Sequence, residues 1–85
     1  NLGTAGFAAD FSGRAWPNPF KEEVHFWADS DIQTVTFYNA LGQEVLTQYG
    51  EGREMTANTG SLPNGIYLVR ISGESKSVTF KMVRQ

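Results

Sequence analysis

The chain has 85 residues, a formal net charge of -2, 40% apolar residues with six Phe, three Tyr and two Trp, and no Cys. That is one domain with one modest core, in which a chain of this length buries roughly 60–65% of its unfolded surface. The composition excludes thiol catalysis, zinc-thiolate sites and disulfides; its interspersed charges leave no basic stripe for nucleic acid, and no apolar run nears the ~20 residues of a membrane-spanning helix.

The opening residues are rich in Gly, Ala, Thr and Ser, so 1–14 reads as a linker ahead of a domain over 15–85. They carry neither the basic nor the apolar region of a signal peptide. Without an initiating Met, the chain reads as a piece of a larger protein, its C-terminal end. Phe7, Ala9 and Phe11 alternate, which leaves a short strand there as the alternative to plain linker. In Trp16-Pro17-Asn18-Pro19-Phe20, each Pro pushes the residue before it toward extended geometry. Trp16 and Phe20 are spaced to anchor this stiff entry on the core edge.

Glu23 to Trp27 alternates, with Val24 and Phe26 on one face and Glu23, His25 and Trp27 on the other, the pattern of a strand with one buried face. Ala28 to Asp31 turns the chain. Thr34 to Tyr38 alternates again, with Val35 and Phe37 inward. Asn39-Ala40-Leu41-Gly42 fits a type I turn ending in a left-handed residue with a bulge, which makes a hairpin with Gln43–Tyr49. A short strand follows around Arg53–Ala57.

Leu62 to Ile71 is the most informative stretch. Pro63 presets its own φ, and Asn64 and Gly65 tolerate positive φ, so the chain reverses sharply. Tyr67, Val69 and Ile71 then point inward. Tyr67 stands where sandwich folds carry a tyrosine corner, whose hydroxyl bonds back to upstream main chain; the alternative is a Tyr without that bond. After the polar turn Ser72–Ser75, the segment Ser77–Val83 has Val78, Phe80 and Met82 inward and Ser77, Thr79 and Lys81 outward. Six to seven strands, spaced about 8–12 residues apart with no helical periodicity, predict an all-β, two-layer antiparallel sandwich.

The chemistry is sparse. His25 is the sole histidine and shares an outward face with Glu23 and Trp27, so no second His or Cys completes a zinc site. Asp29 and Asp31 are two carboxylates where calcium needs six or more oxygens, and an Asx-rich turn explains them. Glu51, Glu54 and Glu74 fall in turns or on outer faces. No catalytic residue, cofactor-binding residue or metal ligand is assigned, and the reading is not an enzyme. Trp27, Tyr38, Ile66 and Leu68 make an exposed apolar patch if their strands share a sheet, and such patches mark docking surfaces; otherwise a preceding segment covers them.

Four features in this order resemble the type A C-terminal sorting domain of type IX secretion system cargo proteins, the Por secretion tail. They are the Pro17-Asn18-Pro19 opening, the hairpin Leu41-Gly42-Gln43-Glu44-Val45, the Leu62-Pro63-Asn64-Gly65-Ile66-Tyr67-Leu68-Val69-Arg70-Ile71 segment, and a last strand with Lys76, Lys81 and Arg84. The resemblance runs from Trp16 to Arg84. Asn58 stands where the family often has Asp, and Gln85 where many members end in Lys or Arg.

The resemblance implies an immunoglobulin-like sandwich without enzymatic activity or cofactor, acting as a folded export signal for a cargo domain N-terminal to it. It implies passage through the periplasm, an outer-membrane translocon as partner, and delivery to the cell surface or medium. It further implies removal by a sortase-like cysteine protease that joins the cargo to an anionic lipopolysaccharide, with scission in Asn1–Arg14. A signal with no cofactor is read by its surface. The expected recognition residues are Gly65, Tyr67, Lys76, Lys81 and Arg84, held by the structural motif Pro17, Asn18, Pro19, Gly42, Leu62, Pro63, Gly65 and Tyr67. The competing readings are a carbohydrate- or protein-binding accessory module, with Trp27, Tyr38 or Tyr49 as a stacking platform, and a structural spacer. The C-terminal edge strand is also open to pairing with a second copy.

Overall fold

Period-two alternation decides which side of each strand is buried. In 23–28, Val24, Phe26 and Ala28 are buried between less buried neighbours; in 65–72, Tyr67, Val69 and Ile71 are buried and Ile66, Leu68 and Arg70 exposed. A computed structural model describes residues 12–85. Its strands are β1 (Gly13–Trp16), β2 (Glu23–Ala28), β3 (Thr34–Tyr38), β4 (Glu44–Tyr49), β5 (Glu54–Asn58), β6 (Gly65–Ser72) and β7 (Ser77–Arg84), with no helix among the described residues.

The strands form two sheets, ordered β1-β2-β5 and β4-β3-β6-β7, with every strand pair antiparallel. Seven strands in two sheets match the immunoglobulin constant-type count, but here the fourth strand lies on the sheet of the third, sixth and seventh. The core between the sheets is aromatic at its centre. Phe37 has ring centroids of Phe20 at 6.0 Å, Phe26 at 6.1 Å and Tyr67 at 6.5 Å, all edge-on. Val24, Val35, Val69, Ile71 and Met82 complete it, with Val78 and Phe80 packed against its rim.

The expected faces hold with one adjustment. Thr36 points outward as its register requires, yet it is buried, because it lies in a central strand between Thr47 and Arg70. The 39–42 turn is as expected: the Gly42 N–H donates to the Asn39 carbonyl at 2.9 Å, Gly42 has φ +84°, and the register shifts at Phe37/Tyr38. Asn39 Oδ1 accepts from the amides of Leu41 and Gln43, which fixes the turn further.

One expectation needs correction. Gly13 and Arg14, read as the end of the linker, belong to β1, which pairs Gly13 with Ala28 through Trp16 with His25. The alternation at Phe7–Phe11 lies outside the described residues. At the Pro63 turn only Gly65 uses a positive φ, at +152°; no described non-glycine residue, Asn64 included, does so.

A side chain at Gly65 would meet no atom within 4 Å. Its requirement for glycine is therefore a matter of backbone conformation. Gly65→Val is expected to lower stability by about 1–3 kcal/mol, read as the urea midpoint at constant slope. Gly60→Ala, whose added carbon would lie at ordinary contact distance (3.4 Å) from Asn58, is expected to cost under about 1 kcal/mol.

Candidate recognition surface

Three stretches far apart in sequence meet at one end of the sandwich. The first is Pro17 to Phe20, whose two X-Pro bonds are cis. Phe20 is fully buried, and its main chain brackets the last strand: its N–H donates to the Val83 carbonyl at 2.8 Å and its carbonyl accepts from Gln85 at 3.0 Å. The result is a parallel bridge to Arg84. Asn18 extends it, with Oδ1 accepting from the Val83 amide at 3.0 Å and Nδ2 donating to the Lys81 carbonyl at 3.4 Å. Outward-facing main-chain groups of an edge strand belong to alternate residues. Those at Val83 and the Lys81 carbonyl are thus taken, which shortens the β7 edge open to pairing.

The second stretch is the loop from Thr59 to Asn64. Thr59 is fully buried; its Oγ1 donates to the Lys21 carbonyl at 3.0 Å and its amide donates to the Glu22 carbonyl at 2.8 Å. Asn58 Oδ1 accepts from the Gly60 amide at 3.0 Å, a bond that an Asp in its place would make equally well. Further on, the Tyr67 hydroxyl donates to the Pro63 carbonyl at 2.5 Å. Of the two readings of Tyr67, the tyrosine corner is the one observed.

The third stretch is the end of β7. The Arg84 guanidinium spreads over the loop: Nε donates to the Thr59 carbonyl at 3.0 Å, Nη1 to Asn64 Oδ1 at 2.6 Å and Nη2 to the Gly60 carbonyl at 3.3 Å. Arg84 therefore ties β7 to the β5–β6 loop. Tyr67 likewise points into the core, 4% exposed. Lys81 stands differently. It is exposed and, with Ile66, Leu68, Asn39, Ala40 and Gly42, lines a shallow groove of about 310 Å³.

The structure thus brings Pro17, Asn18, Pro19, Gly42, Leu62, Pro63, Gly65, Tyr67, Lys81 and Arg84 to one end. It does not bring Lys76, which precedes β7 at the opposite end, about 26 Å away at 3.2–3.4 Å per strand residue. The chain enters at that opposite end too. The Ser12 carbonyl accepts from Asp29 at 3.0 Å, and Gly13 lies beside Ile71 and Val78. Sequence reasoning missed Thr59, because a buried threonine in a polar turn carries no local signature, and it read Asn64 only as a turn residue.

The anticipated apolar patch divides. Trp27 lies in β2 and Tyr38 in β3, so they face away from each other on different sheets; Tyr38 does pair with Leu68. Among the described residues no group of three or more His, Asp or Glu is placed to hold a metal ion.

These features define a class: an antiparallel β-sandwich whose sequence motifs build one rigid end rather than line a deep pocket. The model of the family described as secretion system C-terminal sorting domain matches residues 14–85. The chain belongs to that family, the C-terminal sorting signals of type IX secretion, which is not an enzyme family and implies a cargo N-terminal to the domain and export to the cell surface or medium. No curated protein and no solved structure matches the chain.

A lysine at position 84 offers one ammonium where a planar fork reaches three acceptors. Arg84→Lys is expected to lower stability by about 1–2 kcal/mol. Amide chemical shifts at Thr59–Asn64 should move while those of β1 and β2 stay in place.

Proposed function

We propose that the end of the sandwich built by Pro17–Phe20, the 39–42 turn, the Thr59–Gly65 loop and the end of β7 is the part of the signal that the outer-membrane translocon reads. One observation carries this reading: these motifs gather at the end opposite to the chain entry at Gly13. A cargo joined upstream of Gly13 leaves that end facing away from itself. Within it, Gly65, Tyr67 and Arg84 position the loop, and Lys81, Ile66 and Leu68 are the contacts offered to the partner. Lys76, at the entry end, lies outside this contact.

The cargo passes through the periplasm before it reaches the translocon, and a sortase-like cysteine protease then releases the domain. Backbone held in a strand ladder is a poor protease substrate. Gly13 and Arg14 are held by β2, so the scissile bond lies upstream of Gly13.

The test fuses residues 1–85 behind a signal peptide and a reporter, in a host that has the secretion system. The wild-type fusion should deliver reporter to the surface and lose the domain. Lys81→Glu combined with Leu68→Ser alters only exposed side chains, so its unfolding midpoint should stay near wild type while most reporter is retained inside the cell. Lys76→Glu should export normally. Normal delivery by the folded double variant would contradict the assignment.

A further inference from the structure

The outer face of the three-stranded sheet has a different character from the sorting end. Register places two rows on it, Arg14–Trp27–Glu54 and Trp16–His25–Thr56. Both of the chain's tryptophans stand there. Trp16 is 46% exposed, and its ring centroid lies 5.8 Å from that of His25 with the planes 31° apart. The Arg14 guanidinium lies over the Trp27 ring, 6.0 Å from its centroid, so Trp16 is the indole with a free face. His25 is held from both sides, with Nδ1 3.0 Å from Thr56 Oγ1 and Nε2 3.8 Å from the Glu23 carboxylate. The two indoles, Arg14 and Glu54 line an open depression of about 590 Å³.

We propose that this depression binds a pyranose unit of a neutral oligosaccharide. An indole presents a flat apolar surface with a negative face, which suits the weakly positive C–H face of a sugar ring. The row through Trp27 has a donor fork on one side and an acceptor-only carboxylate on the other. Hydroxyl groups both donate and accept, so one sugar satisfies both flanks at once. One positive and one negative side chain beside the same ring give the row no net charge. That balance disfavours a polyanion, which Glu54 repels, and a cation, which Arg14 repels. Arg14 and Glu54 stand on the strands either side of Trp27, so a donor and an acceptor both lie beside a ring stacked on the neighbouring Trp16. The rim of His25, Thr56 and Glu23 is polar, unlike the aliphatic surround of a protein docking patch. The site lies on the sheet that Lys81 does not belong to, and it is independent of the sorting role.

Because both tryptophans lie on this face, selectively excited tryptophan fluorescence reports on it, free of the three tyrosines of the other sheet. Residues 1–85 are titrated with cellohexaose, maltohexaose and mannohexaose, and with polygalacturonate as the anionic comparison. At least one neutral hexasaccharide should give a saturable change with a Kd of about 0.1–1 mM. Trp16→Ala should weaken it about tenfold, as should Arg14→Gln, whose exposed side chain leaves the buried contacts untouched; circular dichroism confirms that each variant is folded. The proposal is overturned by no saturable change up to about 10 mM of every neutral sugar, by unchanged affinity in folded Arg14→Gln and Trp16→Ala, or by tighter binding of the polyanion.

Discussion

The bracket that Phe20 makes around Val83 and Gln85 joins the β1–β2 connection to the last strand. Each of its main-chain hydrogen bonds contributes only about 0.5–1.5 kcal/mol net. The ring of the same residue is fully buried against Phe37 and Tyr67, and burying such a side chain contributes about 1.5–3 kcal/mol. The two effects reinforce each other, since the ring can reach the core only if the main chain lies along β7. With no cysteine to staple a domain this small, such closures carry much of the stability. The bracket also covers part of an edge strand that would otherwise offer unpaired groups to other chains.

From that bracket the order passes to the β5–β6 loop. With β7 held, Arg84 reaches three acceptors on the β5–β6 loop, and Thr59 fastens the same loop to Lys21 and Glu22 behind Phe20. The tyrosine corner fixes Pro63 from beneath. Short turns are thereby given one shape, and a surface so held spares a partner about 0.5–1.5 kcal/mol of ordering for each side chain already fixed. Arg84, which the sequence marks as a candidate contact, bonds three acceptors of this loop and so helps to fix its shape.

Much of this was legible in the residues. The inner faces of β2, β3, β6 and β7 follow from alternation alone, and the 39–42 turn follows from Asn39 and Gly42. The corner was legible as one of two readings, because the position of Tyr67 is local information but its hydrogen bond is not. β1 was missed because Gly-Arg-Ala-Trp has no distinctive pattern, and only pairing with β2 makes it a strand. The grouping of Trp27 with Tyr38 failed for a topological reason: the chain changes sheets between β2 and β3, which no residue in 29–33 announces. The bonds of Arg84 are not legible locally, because its partners are main-chain carbonyls and an asparagine 20 to 25 residues away. Asn58 accepts the Gly60 amide as an Asp would.

Native-state hydrogen exchange at three amides tests the bracket directly: Phe20, Val83 and Gln85, the donors that join the opening segment to the last strand. If the bracket opens only when the whole sandwich does, Phe20 and Val83 exchange as slowly as the central amides of β3 and β6, with Gln85 no more than modestly faster. Exchange of all three at the rate of the exposed 73–76 turn, while β3 and β6 stay protected, would show that the β1–β2 connection and the last strand are not held together and that the loop they support has no fixed shape.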